Sequence, residues 1–172
     1  MVVSGPGKHI PRVRTIITSS RDTSARARSF LNYLEYIFPS SLKVNRGRRN
    51  LDELFRIAEI LKSDVLLLTN VNKGNPSSIE VFDVSSRDLL YHFLIKSLRL
   101  KSDYDKANLA NNKRELCIKD TVQQCFTVNS FLVDLGAKRG KCETIAVIWF
   151  ENECKIKFMN KGDELLTVGL ES

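Results

Sequence analysis

The first half of the chain alternates between strand-like and helix-like segments, and this order restricts the fold more than any other feature. β-branched residues alternate with basic ones at the start, apolar residues then recur at helical spacing from Ala27 to Phe38, and Pro39 ends that helix. The predicted elements are strands at 12–18, 42–44 and 65–69, with helices between them. Strands that alternate with helices pair in parallel through right-handed crossovers, so the sequence predicts an α/β fold.

Local signals place the ends of the two predicted helices. Asp22, Thr23 or Ser24 is expected to cap the first helix. Asn50 and Glu53 have the spacing of a capping box, which predicts that the second helix begins at residue 51 and continues to residue 62. Both predicted helices therefore follow directly on a loop after a strand.

The second half is predicted to repeat the first in a degenerate form. A turn at 72–76 leads to a strand at 79–84, which completes the first half, and in the second half a polar stretch at 101–114 is predicted to be a loop. Further predicted elements are strands at 90–100, 115–119, 144–150, 155–159 and 164–170, and a helix capped by Thr121 and closed by Gly136. We expect one domain over 1–172, with a flexible arm at 1–11, an N-terminal half at 12–88 and a C-terminal half at 89–172.

The positive charge of the chain is confined to its beginning. The net charge is +7, yet residues 1–50 hold 10 basic and 2 acidic residues, while the remainder holds 17 basic and 18 acidic residues. A localised basic field is the expected footprint of a polyanion-binding surface, because phosphate neutralisation dominates nucleic-acid affinity. An acidic protein partner would explain the same charge.

The predicted topology gathers this charge into a candidate site. Loops that leave three parallel strands emerge at one edge of the sheet, and here they carry Arg21, then Arg46, Arg48 and Arg49, then Lys73. Two of these loops also lead into helices, whose free amides are expected to attract anions. The edge is therefore predicted to bind phosphate.

Catalysis, cofactors and metals find little support in the sequence. Neither a GxxxxGK[ST] nor a GxGxxG motif is present, and His9 and His92 are far in sequence from a plausible nucleophile. The spacing of the four cysteines fits no zinc site, so we expect packed thiols and leave a disulfide open. Those cysteines are Cys117, Cys125, Cys142 and Cys154.

Two tyrosines and the apolar runs complete the prediction. Tyr33 and Tyr36 lie near the polar side of the first helix, where they could stack on bases or pack against the second half.

No apolar run reaches the roughly 20 residues of a membrane helix. We expect no membrane contact and a cytoplasmic location.

Three motifs give the chain a family resemblance. A TSR-like turn lies at 18–21, an FPxSxxxNRG signature at 38–47 and a KGxP turn at 73–76. With these motifs the chain resembles Brix-domain ribosome-biogenesis proteins, most of all the short archaeal type related to the Brix component of the U3 small nucleolar ribonucleoprotein. An SSRDL segment at 85–89 replaces the GPT-type segment usual in that family.

The resemblance implies a single Brix domain of two similar halves, with mixed sheets and flanking helices. Each half would resemble the anticodon-binding domain of class II aminoacyl-tRNA synthetases. The implied function is non-enzymatic binding of rRNA or pre-rRNA, with or without a guide ribonucleoprotein, in rRNA processing and small-subunit assembly alongside other assembly factors. A protein-interaction scaffold and a tRNA-binding accessory module are the alternatives. The predicted RNA-binding residues are Arg21, Lys43, Asn45, Arg46, Gly47, Arg48, Arg49 and Lys73.

Overall fold

Ten strands form one continuous sheet in the computed structural model, which describes residues 12–103 and 115–172. The strands are β1 (Thr15–Ser19), β2 (Ser41–Lys43), β3 (Val65–Asn72), β4 (Asn75–Asp83), β5 (Leu89–Leu100), β6 (Leu116–Asp120), β7 (Lys138–Arg139), β8 (Thr144–Glu151), β9 (Glu153–Asn160) and β10 (Asp163–Glu171). The α-helices of the described ranges are α1 (Ala25–Ile37), α2 (Leu51–Ile60) and α3 (Phe126–Asp134). The predicted arm at 1–11 and residues 104–114 of the predicted loop lie outside the described residues.

The two halves of the sheet have the same strand arrangement. From its own edge inward, each half has its second strand first, followed by its first, third, fourth and fifth strands. The whole order is β2-β1-β3-β4-β5-β10-β9-β8-β6-β7. β1 pairs in parallel with β2 and β3, and β6 pairs in parallel with β7 and β8, while the other pairings are antiparallel. The predicted α/β class and the parallel start of the chain are confirmed. The boundary at residue 88 and the likeness to anticodon-binding domains stay predictions.

Both helices of the first half begin at the caps that the sequence predicts. Ser24 Oγ accepts a hydrogen bond from the Ala27 amide at 3.0 Å, so Ser24 is the cap among the three candidates. In α2 the Asn50 side chain accepts from the Glu53 amide at 2.9 Å, and the Glu53 carboxylate accepts from the Asn50 amide at 3.3 Å. This is the predicted capping box.

One face of the sheet, which we call the inner face, carries α1 and α3 over a core shared by both halves. Phe38, at the end of α1, contacts Phe131 of α3 with ring centroids 6.2 Å apart and Phe158 of β9 at 6.0 Å. Phe93 of β5 contacts the same Phe131 ring at 5.2 Å. Aromatic contacts therefore join the two halves at the centre of the domain.

The opposite face, which we call the outer face, is covered by α2 over the first half. A second, smaller core lies beneath α2 and consists of Ile16, Leu54, Phe55, Ala58, Leu66 and Val84. Arg87, in the turn between β4 and β5, holds α2 from the side. Its guanidinium pairs with Asp52 at 2.6 Å and Glu59 at 3.1 Å, and it lies 5.0 Å from the centroid of Phe55.

The second half departs from the sequence prediction in its helix. Thr121 does not cap it, because the segment first forms a single 3₁₀ turn at Gln123–Cys125 and α3 begins only at Phe126. Gly136 follows the helix with a positive φ of 104°, as a closing glycine should. The two-residue strand β7 was not predicted.

The cysteines also differ from the prediction of packed thiols. Cys117 is bonded to Cys142 and Cys125 to Cys154, with Cα atoms 5.8 and 5.7 Å apart. The sequence left a disulfide open without naming a pair. Four cysteines allow three pairings, and only the fold brings the bonded partners together.

The crossover between parallel strands differs most between the halves. From β2 to β3 the chain runs over residues 44–64 and includes α2, whereas from β7 to β8 it runs over residues 140–143 alone. Cys142, within this short crossover, is bonded to Cys117 of β6. Cys117 holds the register position in β6 that Ile16 holds in β1, so the disulfide lies where α2 lies in the first half.

Candidate nucleic-acid interface

The carboxyl ends of β1, β2 and β3 lie at one edge of the sheet, as parallel pairing requires. Three connections leave this edge: residues 20–24 before α1, residues 44–50 before α2, and the tight β3–β4 turn with Lys73 and Gly74 at its tip. Lys73 and Gly74 both have positive φ, at 50° and 80°, which is the geometry of a two-residue hairpin turn. The predicted edge is confirmed as a structural unit.

The first connection is fastened to the β3–β4 hairpin. The Ser20 amide donates to the Thr69 carbonyl at 2.9 Å, and Ser20 Oγ accepts from the Val71 amide at 3.0 Å. Ser24 Oγ donates to the Gly74 carbonyl at 2.6 Å. Arg21 therefore lies in an ordered segment beside the turn that carries Lys73.

The second connection is folded by its own arginines. Arg46 donates through Nη1 to the Ser19 carbonyl at 3.1 Å and through Nε to the Arg49 carbonyl at 2.6 Å. Arg49 donates through Nη1 to the Asn45 carbonyl at 2.8 Å, and Gly47 takes a left-handed φ of 54°. These bonds tie the loop to the end of β1 and bring Arg46 toward Arg21.

The positive charges at this edge form no ion pairs among the described residues. The pKa of Arg46 is lowered from its ordinary value, first by partial burial and second by the charge of Arg21. Five other arginines, Arg12, Arg26, Arg56, Arg87 and Arg99, form ion pairs with carboxylates. Within residues 12–103 and 115–172, no such pair is formed by Arg21, Arg46, Arg48, Arg49 or Lys73.

The backbone amides at the starts of α1 and α2 attract anions less than the sequence suggested. At α2 the capping box occupies the amides of Asn50 and Glu53, and the carboxylates of Asp52 and Glu53 already lie in the first turn. At α1 the Ala27 amide is taken by Ser24. The main positive charge at this edge is therefore that of the side-chain cations rather than that of the helix ends.

Lys43 lies apart from the other predicted residues. It pairs with Ile17 in the β1–β2 ladder, and Ile17 belongs to the inner core, so Lys43 faces α1. Its Nζ donates to Asn32, and its backbone amide donates to a Glu35 carboxylate oxygen at 2.6 Å. The fold gathers Arg21, Arg46 and the exposed Asn45, Gly47, Arg48 and Arg49, with Lys73 on the adjoining turn.

Tyr33 takes the packing role rather than the stacking role. It is 1% exposed, and its hydroxyl oxygen accepts from the Ser102 amide at 3.1 Å. Tyr36 is half-buried against the inner core. Sequence reasoning missed that Ser20 and Ser24 fasten the loops together, although Ser24 was a recognisable helix cap.

Known proteins similar to this chain share both its sequence and its fold. No family model matches. A protein of Saccharolobus solfataricus, named a probable Brix domain-containing ribosomal biogenesis protein, is 36% identical over 171 residues, which is 95% of this chain and 99% of the relative. A protein of the same name from Sulfurisphaera tokodaii is 39% identical over 127 residues, covering 74% of this chain and 70% of the relative. The chain belongs to the Brix family of ribosome-biogenesis proteins.

Solved structures support the Brix fold. A probable ribosomal biogenesis protein from Aeropyrum pernix K1 has a TM-score of 0.75 at 24% identity, covering 92% of this chain and 96% of that one. Mil, an archaeal Imp4-like protein, has a TM-score of 0.68 at 17% identity, covering 91% and 97%. Both matches cover more than nine tenths of this chain, so the fold is shared over most of its length.

No helix among the described residues has the length and apolar character needed to cross a membrane.

Proposed function

We propose that this Brix protein binds pre-rRNA without catalysing a reaction, and assists rRNA pairing or folding during processing and small-subunit assembly. The proposed contact surface is the basic edge, formed by Arg21, Arg46, Arg48, Arg49 and Lys73. The observation that carries the proposal is that these five cations, on three connections at one edge of the sheet, form no ion pair within residues 12–103 and 115–172. Phosphate groups would supply the negative charge that these cations lack, and counterion release would add affinity.

The residues of the basic edge have two roles, because one supports the loop and others are free to contact RNA. Arg46 already donates to two carbonyls and orders the loop, so it is a support as well as a charge. Arg21, Arg48 and Lys73 are exposed and form no ion pairs in the described ranges. They can turn toward a phosphate backbone without breaking the loop, and they are therefore the residues to change in a test.

The test is a triple variant, Arg21→Glu, Arg48→Glu and Lys73→Glu, titrated with a pre-rRNA fragment at several salt concentrations. The matched control is Lys119→Glu, Arg139→Glu and Lys141→Glu, three exposed residues of the second half that give the same change in net charge. Removal of three phosphate contacts should lower the slope of log affinity against log salt by about 2 to 3.

We expect the control variant to keep most of the affinity and of the slope. Equal losses in the two variants would show that net charge, rather than the basic edge, determines binding. Unchanged RNA binding in the first variant, with loss of an acidic assembly factor, would favour the protein-interaction scaffold instead.

A further inference from the structure

Two phenylalanines are exposed at the end of the sheet opposite the basic edge. Phe126 is 70% exposed and Phe150 is 48% exposed, whereas the other seven phenylalanines of the chain are buried or half-buried. Five antiparallel pairings separate β3 from β8, so β8 runs against β3, and β6, which is parallel to β8, runs against β1. The carboxyl ends of β6 and β8 therefore lie at the opposite end of the sheet.

A disulfide holds the two rings in one region. Phe126 follows Cys125, and Cys125 is bonded to Cys154, which pairs with Phe150 in the β8–β9 ladder. These links keep the Cα atoms of Phe126 and Phe150 at most about 15 Å apart. Phe150 lies two residues beyond Ile148 of the inner core, so strand alternation puts its ring on the inner face with α3.

The first half fixes the same two elements to each other by different bonds. Ser24, the residue before α1, donates to the Gly74 carbonyl in the β3–β4 turn at 2.6 Å, while Cys125, the residue before α3, is bonded to β9 of the next hairpin. Ala25 begins α1 where Phe126 begins α3. We call the carboxyl ends of β6 and β8, with residues 121–126 and the β8–β9 turn, the aromatic edge. It corresponds in position to the basic edge but carries rings instead of cations.

We propose that the aromatic edge binds unpaired RNA nucleotides by stacking their bases on Phe126 and Phe150. Exposed aromatic side chains hold single-stranded RNA in this way because every base has a flat π-face. Gln123, Gln124 and Asn152 are exposed in the same connection and turn, and their amides can donate to and accept from base edges. The inference rests on the proposed RNA binding and adds a second contact to it.

The charges at the aromatic edge favour contact with bases over contact with phosphates. β6 ends in Lys119 and Asp120, whose charges cancel, and Glu151 at the end of β8 pairs with Lys155 at 2.9 Å. This edge therefore offers no net attraction for phosphate, in contrast to the basic edge. Its contribution to RNA affinity should be nearly independent of salt.

The surroundings of the rings favour a nucleotide over a protein partner. Stable protein interfaces bury about 1,000 Å² or more around an apolar centre. Here Gln123, Gln124 and Thr127, beside Phe126, are exposed and polar. Val133, the next exposed apolar residue of α3, lies two turns further along the helix. Separate rings in polar surroundings give little area for such an interface, but each ring can cover one base.

The test uses a single-stranded oligoadenylate that carries one 2-aminopurine, whose fluorescence changes when its base stacks. Phe126→Ala together with Phe150→Ala should weaken binding about tenfold or more, because each lost ring removes a stacking contact. The slope of log affinity against log salt should stay that of the parent. Phe126→Tyr together with Phe150→Tyr keeps both rings and should bind as the parent does.

Two controls separate stacking from other effects. Ile60→Ala removes a similarly exposed apolar side chain from α2 and should leave the affinity unchanged. An oligonucleotide of the same length without bases keeps the phosphates, so its binding should be equal for the parent and the double alanine variant.

Three outcomes would overturn the proposal. The first is unchanged oligoadenylate binding by the double alanine variant, and a simultaneous loss of self-association in sedimentation would then assign the rings to contact between copies of the chain. The second is an equal loss of affinity for the oligonucleotide without bases. The third is a double tyrosine variant that binds as weakly as the alanine variant.

Failure of stacking is distinguishable from failure of the basic edge. A lowered salt slope in the Arg21→Glu, Arg48→Glu and Lys73→Glu variant, with no effect of the alanine variant, would contradict stacking alone. A loss of affinity in the alanine variant, with an unchanged slope in that triple variant, would contradict the basic edge alone.

Discussion

The two halves of the sheet share one strand order but are stabilised by different means. In the first half the crossover between parallel strands contains α2, which buries six residues in a second core. In the second half the crossover is four residues long, and a disulfide joins it to the strand it passes over. Ile16 and Cys117, the residues beneath the two crossovers, are both fully buried.

This difference shows that the central parallel strand of each half is covered by its crossover. In one half the covering element is a helix, and in the other it is a short segment joined to the strand by a disulfide. Apolar burial under α2 stabilises the folded chain directly, whereas a disulfide acts largely by restricting the unfolded chain. The first half thereby keeps long loops that display the basic edge. The second half has a shorter crossover and an open outer face.

The largest effect should come from Phe38→Ala, which tests whether the halves are stable separately. Phe38 is 1% exposed and contacts Phe131 and Phe158 of the second half, so its removal leaves a cavity in the shared core. We expect the free energy of unfolding in urea to fall by about 3 to 5 kcal/mol. Loss of protection in the first half alone, measured by hydrogen exchange, would show that the halves unfold independently.

The next effect should come from the crossover disulfide. Replacement of Cys117 and Cys142 by Ser opens a loop of 25-residue separation, and we expect the free energy of unfolding to fall by about 3 kcal/mol. Hydrogen exchange should rise first in β6, β7 and β8. A reducing agent should destabilise the parent and leave the amides under α2 protected. If those amides exchange as quickly as the rest, the contrast between the halves is wrong.

A smaller effect is expected from Arg87→Ala, which removes the cation that holds α2. Arg87 pairs with two carboxylates and covers Phe55, whereas Arg56 pairs with Asp52 alone at 2.9 Å. Arg87→Ala should lower the melting temperature by a few degrees, and Arg56→Ala should lower it less. Equal shifts for the two variants would mean that the contacts of Arg87 do not fasten α2.

The smallest effect concerns pH and the end of β5. Arg26 of α1 pairs with Asp103 at 2.9 Å, and this bond, with the Leu100 amide, holds the pKa of Asp103 below its ordinary value of 3.8. A carboxylate whose pKa is lower in the folded state than in the unfolded chain stabilises the folded state at pH values above its unfolded-state pKa. This stabilisation is lost as the pH falls through the folded-state pKa. Asp103→Asn should reduce stability at pH 7 by at most about 1 kcal/mol and flatten its decline below pH 4.

Asp163→Asn is the matched control for this last prediction, since its carboxylate is exposed and forms no ion pair within the described ranges. A pH profile of Asp103→Asn that parallels the parent would contradict the assignment of that decline to Asp103.

Elements that depend on neighbours in sequence were predictable. The capping box of α2 and the apolar spacing of α1 act over three or four residues, so the sequence alone shows them. The basic edge followed from one further rule, that parallel strands end on the same side. Lys43 was also among the predicted RNA-binding residues, yet its place in the ladder turns it toward α1.

Features that depend on distant pairings were not predictable. β7 has two residues and no periodicity of its own, and it exists because β6 lies beside it. The disulfides join residues 25 and 29 positions apart that meet only after the sheet forms. Tyr33 could not be assigned to packing without Ser102, which the end of β5 brings to it.

The two ends of the sheet limit how this protein can associate. A long flat edge strand offers unpaired backbone groups to another chain, but here the edges are β2 and β7, of three and two residues, each ending in a basic residue. Among the described residues neither edge strand is long enough to template a further strand, so we expect that copies of the protein do not polymerise through their sheets. Contacts with other molecules are thereby left to side chains on the loops and faces.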